Sequence, residues 1–197
     1  MLSIPLSSGN IAKIVGIDPG TETLGVAIIH FNVEDFSIVR CEAATYKGSA
    51  LLRNEWTREL FGDRYSRIEA HRFNLYKILV EEQPLIVGCE SPFISRRFPQ
   101  AGLALTEVVC AIRASLRLYD LFKPLYSVTP PEAKKAVGAK VNKDKREVAK
   151  SILKIKALTS TAVLPLTTLD EHSIDALAVA YCLLQHAKES KLEPLFI

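Results

Sequence analysis

Two acids stand where apolar runs end. IAKIVGID (11–18) closes on Asp18, and LIVGCE (85–90) closes on Glu90. An almost continuous apolar run reads as a strand buried on both faces. In an open α/β sheet the carboxyl ends of such strands line the ligand crevice. A carboxylate placed there costs on the order of several kcal/mol unless something neutralises it. One such acid can cap a helix or pair with a lysine. Two of them, joined by polar residues from a helix, point to a divalent metal. EHSIDALAVAYCLL supplies that helix: Ile174, Leu177, Ala178 and Tyr181 fall at i, i+3, i+4 and i+7 and define its buried face. His172 and Asp175 lie three apart beside that face, near the first turn. For Asp175 the alternatives are a helix cap or a solvent-facing acid.

The rest of the chain must position these residues. Apolar runs and turn residues predict strands at 11–18, 24–31, 36–41, 85–90 and 125–129, the first three as an antiparallel meander because their links are short. Residues 50–82 are charged, with apolar residues at helical intervals. They read as one or two helices broken near Gly62, with Leu60, Phe61, Tyr65, Ile68, Phe73, Tyr76 and Leu79 as a core-facing stripe. A helix over 99–122 carries Leu105, Val108, Val109, Ile112 and Leu116 on one face. Pro130 and Pro131 open a short helix that Gly138 ends. Further helices follow at 145–156 and roughly 170–188. The order β-β-β-α-β-α-β-α-α indicates an α/β protein, a five-stranded mixed sheet with helices on both faces. No repeat, low-complexity tract or linker interrupts it, so 1–197 reads as one domain with a short extension at 1–10.

Composition narrows the function classes. The chain has 197 residues, enough for one well-buried domain and short for two. Its 48% hydrophobic and 24% charged content excludes disorder as the dominant state. There is no uncharged apolar run of membrane-spanning length, and the first ten residues lack the basic and apolar regions of a secretory signal. The expectation is a cytoplasmic protein, in the host cytoplasm if the source is viral. Cys41, Cys89, Cys110 and Cys182 are widely spaced with no CxxC, which suits reduced thiols packed as small hydrophobes rather than zinc ligands or disulfides. The net charge is +3, but residues 134–156 alone carry nine Lys or Arg against two Asp or Glu. A basic segment on a mildly acidic body is a footprint for a polyanion; the alternative is a solvated helix with its lysines outward.

Taken in order, IVGIDPGTETLGVAII, GCESPF and HSIDALAVA resemble the RuvC-type Holliday junction resolvases, crossover junction endodeoxyribonucleases of the RNase H-like superfamily. The resemblance spans about residues 11–188. It implies an RNase H-like fold and a metal-binding catalytic cluster of Asp18, Glu90, His172 and Asp175. Two Mg²⁺ ions per site are implied, with Mn²⁺ able to substitute; ions roughly 4 Å apart can activate a water and stabilise a leaving oxygen. His172 stands where many relatives have an aspartate, and either ligates a metal or orients water. Phe93 falls where the family has an aromatic that stacks on junction bases, and Arg96 and Arg97 follow it. Lys145, in NKDKREV, resembles the family's site lysine, and Lys134 or Lys135 an earlier basic position. Lys140, Lys143 and Arg146 join the expected DNA contacts.

The implied activity is paired hydrolysis of four-way DNA junctions by a homodimer, leaving 5′-phosphate and 3′-hydroxyl ends, with no membrane and no small-molecule cofactor. The helix at 99–122 is the candidate interface, the alternative being that its stripe is only core. Competing readings are a broader branched-DNA nuclease and an inactive structure-specific DNA-binding protein. ATP chemistry of the actin-like kind fails for want of glycines, since only Gly138 follows Gly102. A Walker loop fails because Val26-Ala27 follows Gly25. His30, His71 and His186 are isolated and have no assigned role, and Trp56 reads as a core or dimer contact.

Overall fold

The computed structural model describes residues 10–51, 55–92, 99–140 and 146–189. Five strands, β1 (Ile11–Asp18), β2 (Thr23–Asn32), β3 (Ile38–Lys47), β4 (Ile86–Glu90) and β5 (Leu125–Val128), form one sheet in the order β3-β2-β1-β4-β5. The pairs β1–β2 and β2–β3 are antiparallel, and β1–β4 and β4–β5 are parallel. This is the mixed sheet expected from the sequence. Strand alternation divides the core into two layers. Ala12, Ile14, Ile29, Phe31 and Ile86 point to one face, under α8 (Glu171–Lys188). Three short helices share that layer: α5 (Pro130–Ala136), α6 (Arg146–Ile152) and α7 (Lys156–Thr159). Val15, Ile17, Val26, Val87 and Cys89 point to the other face, under α3 (Asp63–Glu82) and α4 (Pro99–Tyr119). No helix among the described residues is long and apolar enough to cross a membrane.

Several local expectations are corrected. β3 begins at Ile38, because Phe36 takes φ 59° in the turn and stacks on Phe31, and it runs to Lys47 rather than ending at Cys41. CEAATYK is weakly apolar because β3 is an edge strand, paired on its outer side at Cys41 by Thr161 and Val163. The 50–82 region forms three helices: α1 (Gly48–Leu51), α2 (Glu55–Phe61) and α3, the last two meeting at Gly62. Of its expected apolar stripe, Ile68 and Leu79 face the core and the rest do not. Leu60, Phe61, Tyr65 and Phe73 are exposed, and α3 buries Ser66, His71 and Leu75 along with Ile68 and Leu79. The inward face includes Ser66 and His71, which a count of apolar residues skips. Burial holds the His71 imidazole below its usual range.

On α4 the stripe Val108, Val109, Ile112 and Leu116 is buried against the sheet, so it is core, and the helix stops at Tyr119. The helix expected at 145–156 is divided into α6 and α7. Cys110 is exposed rather than packed, whereas Cys41, Cys89 and Cys182 are buried.

Candidate active site

Alternation carries Asp18 and Glu90 to the same face. Ala12, Ile14 and Gly16 precede Asp18 on the α8 side of β1; Ile86 and Gly88 precede Glu90 on the α8 side of β4. The two strands run parallel with Gly16 opposite Gly88 and Ile17 opposite Cys89, so the acids occupy neighbouring strand ends. α8 can lie close across these strands because two facing positions have no side chain. A Cβ at Gly16 would stand 2.5 Å from the Ala176 carbonyl oxygen, and one at Gly25 would stand 2.7 Å from the His172 carbonyl carbon. The first turn of α8 is therefore held against the end of the β1–β2 hairpin.

Asp170 caps α8: its carboxylate accepts from the Ser173 N–H at 2.9 Å and from the Thr45 hydroxyl at 2.6 Å. Burial raises the Asp170 carboxyl, but the Thr45 and Ser173 hydrogen bonds outweigh it and hold the group below its ordinary range. The cap is thus Asp170, and Asp175 sits one turn further in, half-buried.

Asp18, Glu90, His172 and Asp175 line one cavity of about 300 Å³, with Lys134 and Glu171 also on its wall. Asp18 is buried, and its Oδ2 lies 2.8 Å from His172 Nδ1. The other ring nitrogen, Nε2, lies 2.9 Å from the Thr23 hydroxyl. Burial, the charges of Asp18 and Asp175 and a hydrogen bond with Asp18 push the Glu90 carboxyl up to about 8, and Lys134 opposes them. Among the described residues no three His, Cys, Asp or Glu side chains converge in metal-holding geometry. Asp18 is engaged by His172 and by Glu90. A set of three carboxyls with too little positive charge to balance them is nonetheless the oxygen-donor chemistry that a hard divalent cation takes.

The remaining sequence-derived residues divide into three groups. Lys134, on α5, borders the cavity, and its helix is fixed by a capping box in which Thr129 accepts from the Glu132 N–H while Glu132 accepts from the Thr129 N–H. Lys135, Lys140 and Arg146 are exposed on the same side of the sheet. Phe93, Arg96, Arg97, Lys143 and Lys145 lie outside the described residues. Sequence reading missed Thr23 as the partner of His172. The hairpin register, with Asp18 opposite Gly25, was the signal that placed Thr23 beside the site.

Proteins named crossover junction endodeoxyribonuclease RuvC are similar to the chain. That of Campylobacter curvus is 30% identical over 168 residues, 85% of this chain and 93% of the relative. That of Campylobacter hominis is 29% identical over 162 residues, covering 82% and 92%. That of Chlorobium chlorochromatii is 27% identical over 170 residues, covering 86% and 77%. No family model matches the chain. Among solved structures, Thermus thermophilus RuvC in complex with Holliday junction substrate superposes with a TM-score of 0.68 at 21% identity, over 93% of this chain and 99% of the other. The yeast mitochondrial Holliday junction resolvase Ydc2 superposes with a TM-score of 0.59 at 13% identity, over 90% and 82%. Both likenesses are of fold.

Proposed function

The chain belongs to the RuvC family of crossover junction endodeoxyribonucleases, and we propose that it resolves four-way DNA junctions by metal-dependent hydrolysis at the cavity between β1, β4 and α8. The observation that carries the reading is the grouping of Asp18, Glu90 and Asp175 with His172 around one cavity at neighbouring strand ends. Asp18, Glu90, Asp175 and His172 are the residues that would hold two divalent ions, Mg²⁺ or Mn²⁺. Bound there, such ions lower the pKa of a water and stabilise the departing oxygen of a phosphodiester, which leaves 5′-phosphate and 3′-hydroxyl ends. The chain's own groups do the rest. Lys134, on the cavity wall, and Lys145 set positive charge where the phosphate gains negative charge. Lys135, Lys140 and Arg146 hold the DNA backbone on the α5–α6 side, and Lys143 adds to the backbone contacts. Phe93 stacks on a base at the branch point, and Arg96 and Arg97 contact the DNA backbone.

Two strands of a junction need two related cuts, so the working unit is a two-fold homodimer. Its interface is the exposed apolar surface of α2 and the start of α3, where Trp56, Leu60, Phe61 and Tyr65 are each at least half exposed. α4 turns Val108, Val109, Ile112 and Leu116 inward but leaves Leu103 and Leu118 exposed, so its outward side is the second candidate face.

The test is cleavage of a synthetic four-way junction, a linear duplex and a flap side by side, with and without Mg²⁺. Paired cuts near the branch point of the junction, absent without metal, are expected. Asp18→Asn should abolish them while keeping junction binding, since removing one negative charge weakens the metal site and eases the approach of phosphate. Full cleavage by Asp18→Asn, or equal cleavage of linear duplex, would overturn the reading.

A further inference from the structure

Glu22 and Thr23 are neighbours at the tip of the β1–β2 hairpin, yet they are held from opposite faces of the sheet. On β2, Leu24 and Val26 point to the α3 side, and Gly25 and Ala27 to the α8 side. Strand alternation sends Thr23 toward α8, where its hydroxyl lies 2.9 Å from His172 Nε2. It sends Glu22 toward α3, where its Oε2 lies 3.2 Å from Arg67 Nε. The register that sets Thr23 opposite Lys47 continues one step further, and the Gly48 N–H donates to the Glu22 carbonyl oxygen at 2.7 Å. The Ser49 hydroxyl donates to Glu22 Oε1.

These supports are themselves packed together. A Cβ at Gly48, the first residue of α1, would stand 2.7 Å from Arg67 Cβ and 2.9 Å from His71 Nε2, so α1, α3 and the hairpin tip meet at one point. The Arg67–Glu22 pair is part-exposed, and its charge alone contributes little to stability. A carboxylate has two acceptor oxygens and no donor, which lets Glu22 take the Ser49 hydroxyl and the Arg67 guanidinium at once while its carbonyl takes Gly48. Side chain and backbone are both held, and with them the direction of the next residue. That residue is Thr23, one of the two contacts of the His172 ring, the other being Asp18.

We infer that Glu22 is a positioning residue of the acidic cavity. From the far face of the sheet it sets the Thr23 hydroxyl against His172, and through that ring it sets the geometry offered to a divalent ion. Glu22 does not line the cavity and acts only through its neighbours. The inference deepens the reading above and rests on its metal site. Partners that orient a metal ligand tune the affinity of the site without touching the ion. Here the orienting partner, Thr23, has an anchor of its own on the other side of the sheet.

The experiment uses the full chain, first without metal or DNA. The ring ¹⁵N signals of His172, identified by their loss in His172→Ala, are recorded for the wild type, Glu22→Gln and Glu22→Ala. Mn²⁺ affinity is then measured by calorimetry on the same preparations. Glu22→Ala should move or broaden the His172 signals and leave those of His30 and His186 in place. It should weaken Mn²⁺ binding about three- to tenfold, less than the loss usual for the direct partner of a ligand. Glu22→Gln, which keeps one acceptor oxygen, should fall between alanine and the wild type. In a His172→Ala background Glu22→Ala should cost nothing further, because its route to the metal is gone. Arg67→Gln and Ser49→Ala each remove one support and should move the same signals by smaller steps, which keeps the test open if Glu22→Ala does not fold. Unchanged His172 signals in these folded variants overturn the inference. So does an equal Mn²⁺ loss in the His172→Ala background, or a change confined to junction affinity, which would make Glu22 a charge facing DNA. Wild-type Mn²⁺ binding and junction cleavage test the reading above: if both fail, that reading falls. If both hold while Glu22→Ala behaves as the wild type, only the inference falls.

Discussion

His172 sits between Asp18 and Thr23 with both ring nitrogens engaged. Nδ1 faces Asp18 Oδ2 at 2.8 Å, and Nε2 faces the Thr23 hydroxyl at 2.9 Å. The imidazole is held in one orientation by these two contacts, which is how a group that positions its neighbours is built. Substituting it separates the roles open to it. His172→Asp, which supplies an oxygen ligand that Mg²⁺ prefers, should keep Mg²⁺-dependent junction cleavage. His172→Ala should lose about 10–100-fold with either Mg²⁺ or Mn²⁺, the usual scale for losing a partner that orients a metal ligand. Initial rates across both metals decide it: alanine at the wild-type rate would make His172 no more than a helix-start residue. Thr23→Val should cost about fivefold, the worth of roughly one net hydrogen bond, and Thr23→Ser should recover it. Asp18 and Glu90 stand out in the sequence because each closes an apolar run, His172 and Asp175 because they lie three apart beside the apolar face of a helix, and the family resemblance joins the four. Thr23 does not stand out, since a polar residue at a hairpin turn breaks no pattern, and only the register shows what it faces.

At the scale of elements, the site depends on how closely α8 lies on β1. Gly16 permits that approach, and an added methyl there meets helix backbone, which cannot rotate away as a side chain can. Gly16→Ala should destabilise the protein by about 1–3 kcal/mol, the usual cost of overpacking a filled core, and should also slow junction cleavage, because lifting α8 carries His172 and Asp175 away from Asp18. Urea denaturation and cleavage rates measured together test this; unchanged values in both would mean the seam has slack. The elements that build this seam were those most legible in the sequence. β1 and β4 are apolar on both faces, and α8 keeps its apolar period for several turns. The elements misread were those with one wet side. β3 is an edge strand whose second half reads as polar, and α3 turns Ser66 and His71 inward while Phe73 points out. There, hydrophobicity reports a surface as much as a core, and period alone cannot say which.

The exposed face of α2 and the start of α3 belongs to the whole molecule. Phe61 and Tyr65 pack their rings 5.4 Å apart, and Trp56 and Leu60 of α2 are more than half exposed. An area of this kind on a soluble chain commonly marks an interface, and the two related cuts of a junction supply the reason for a second copy. In a two-fold interface one substitution acts twice, because the same patch meets itself. Phe61→Glu would bring two carboxylates into an apolar contact while leaving the cavity of Asp18 and Glu90 unaltered. The wild type is expected to sediment at twice the chain mass and the variant at 21.8 kDa. Cleavage of a cruciform plasmid should change in kind as well as rate. Paired cuts by a dimer give linear DNA, whereas a lone protomer that still holds its acidic cluster gives nicked circles. A variant that remains dimeric and linearises the plasmid at the wild-type rate would remove this face from the interface. A monomer that still linearises it in one encounter would show that the two cuts need no second copy, and with that the symmetry argument for the dimer fails.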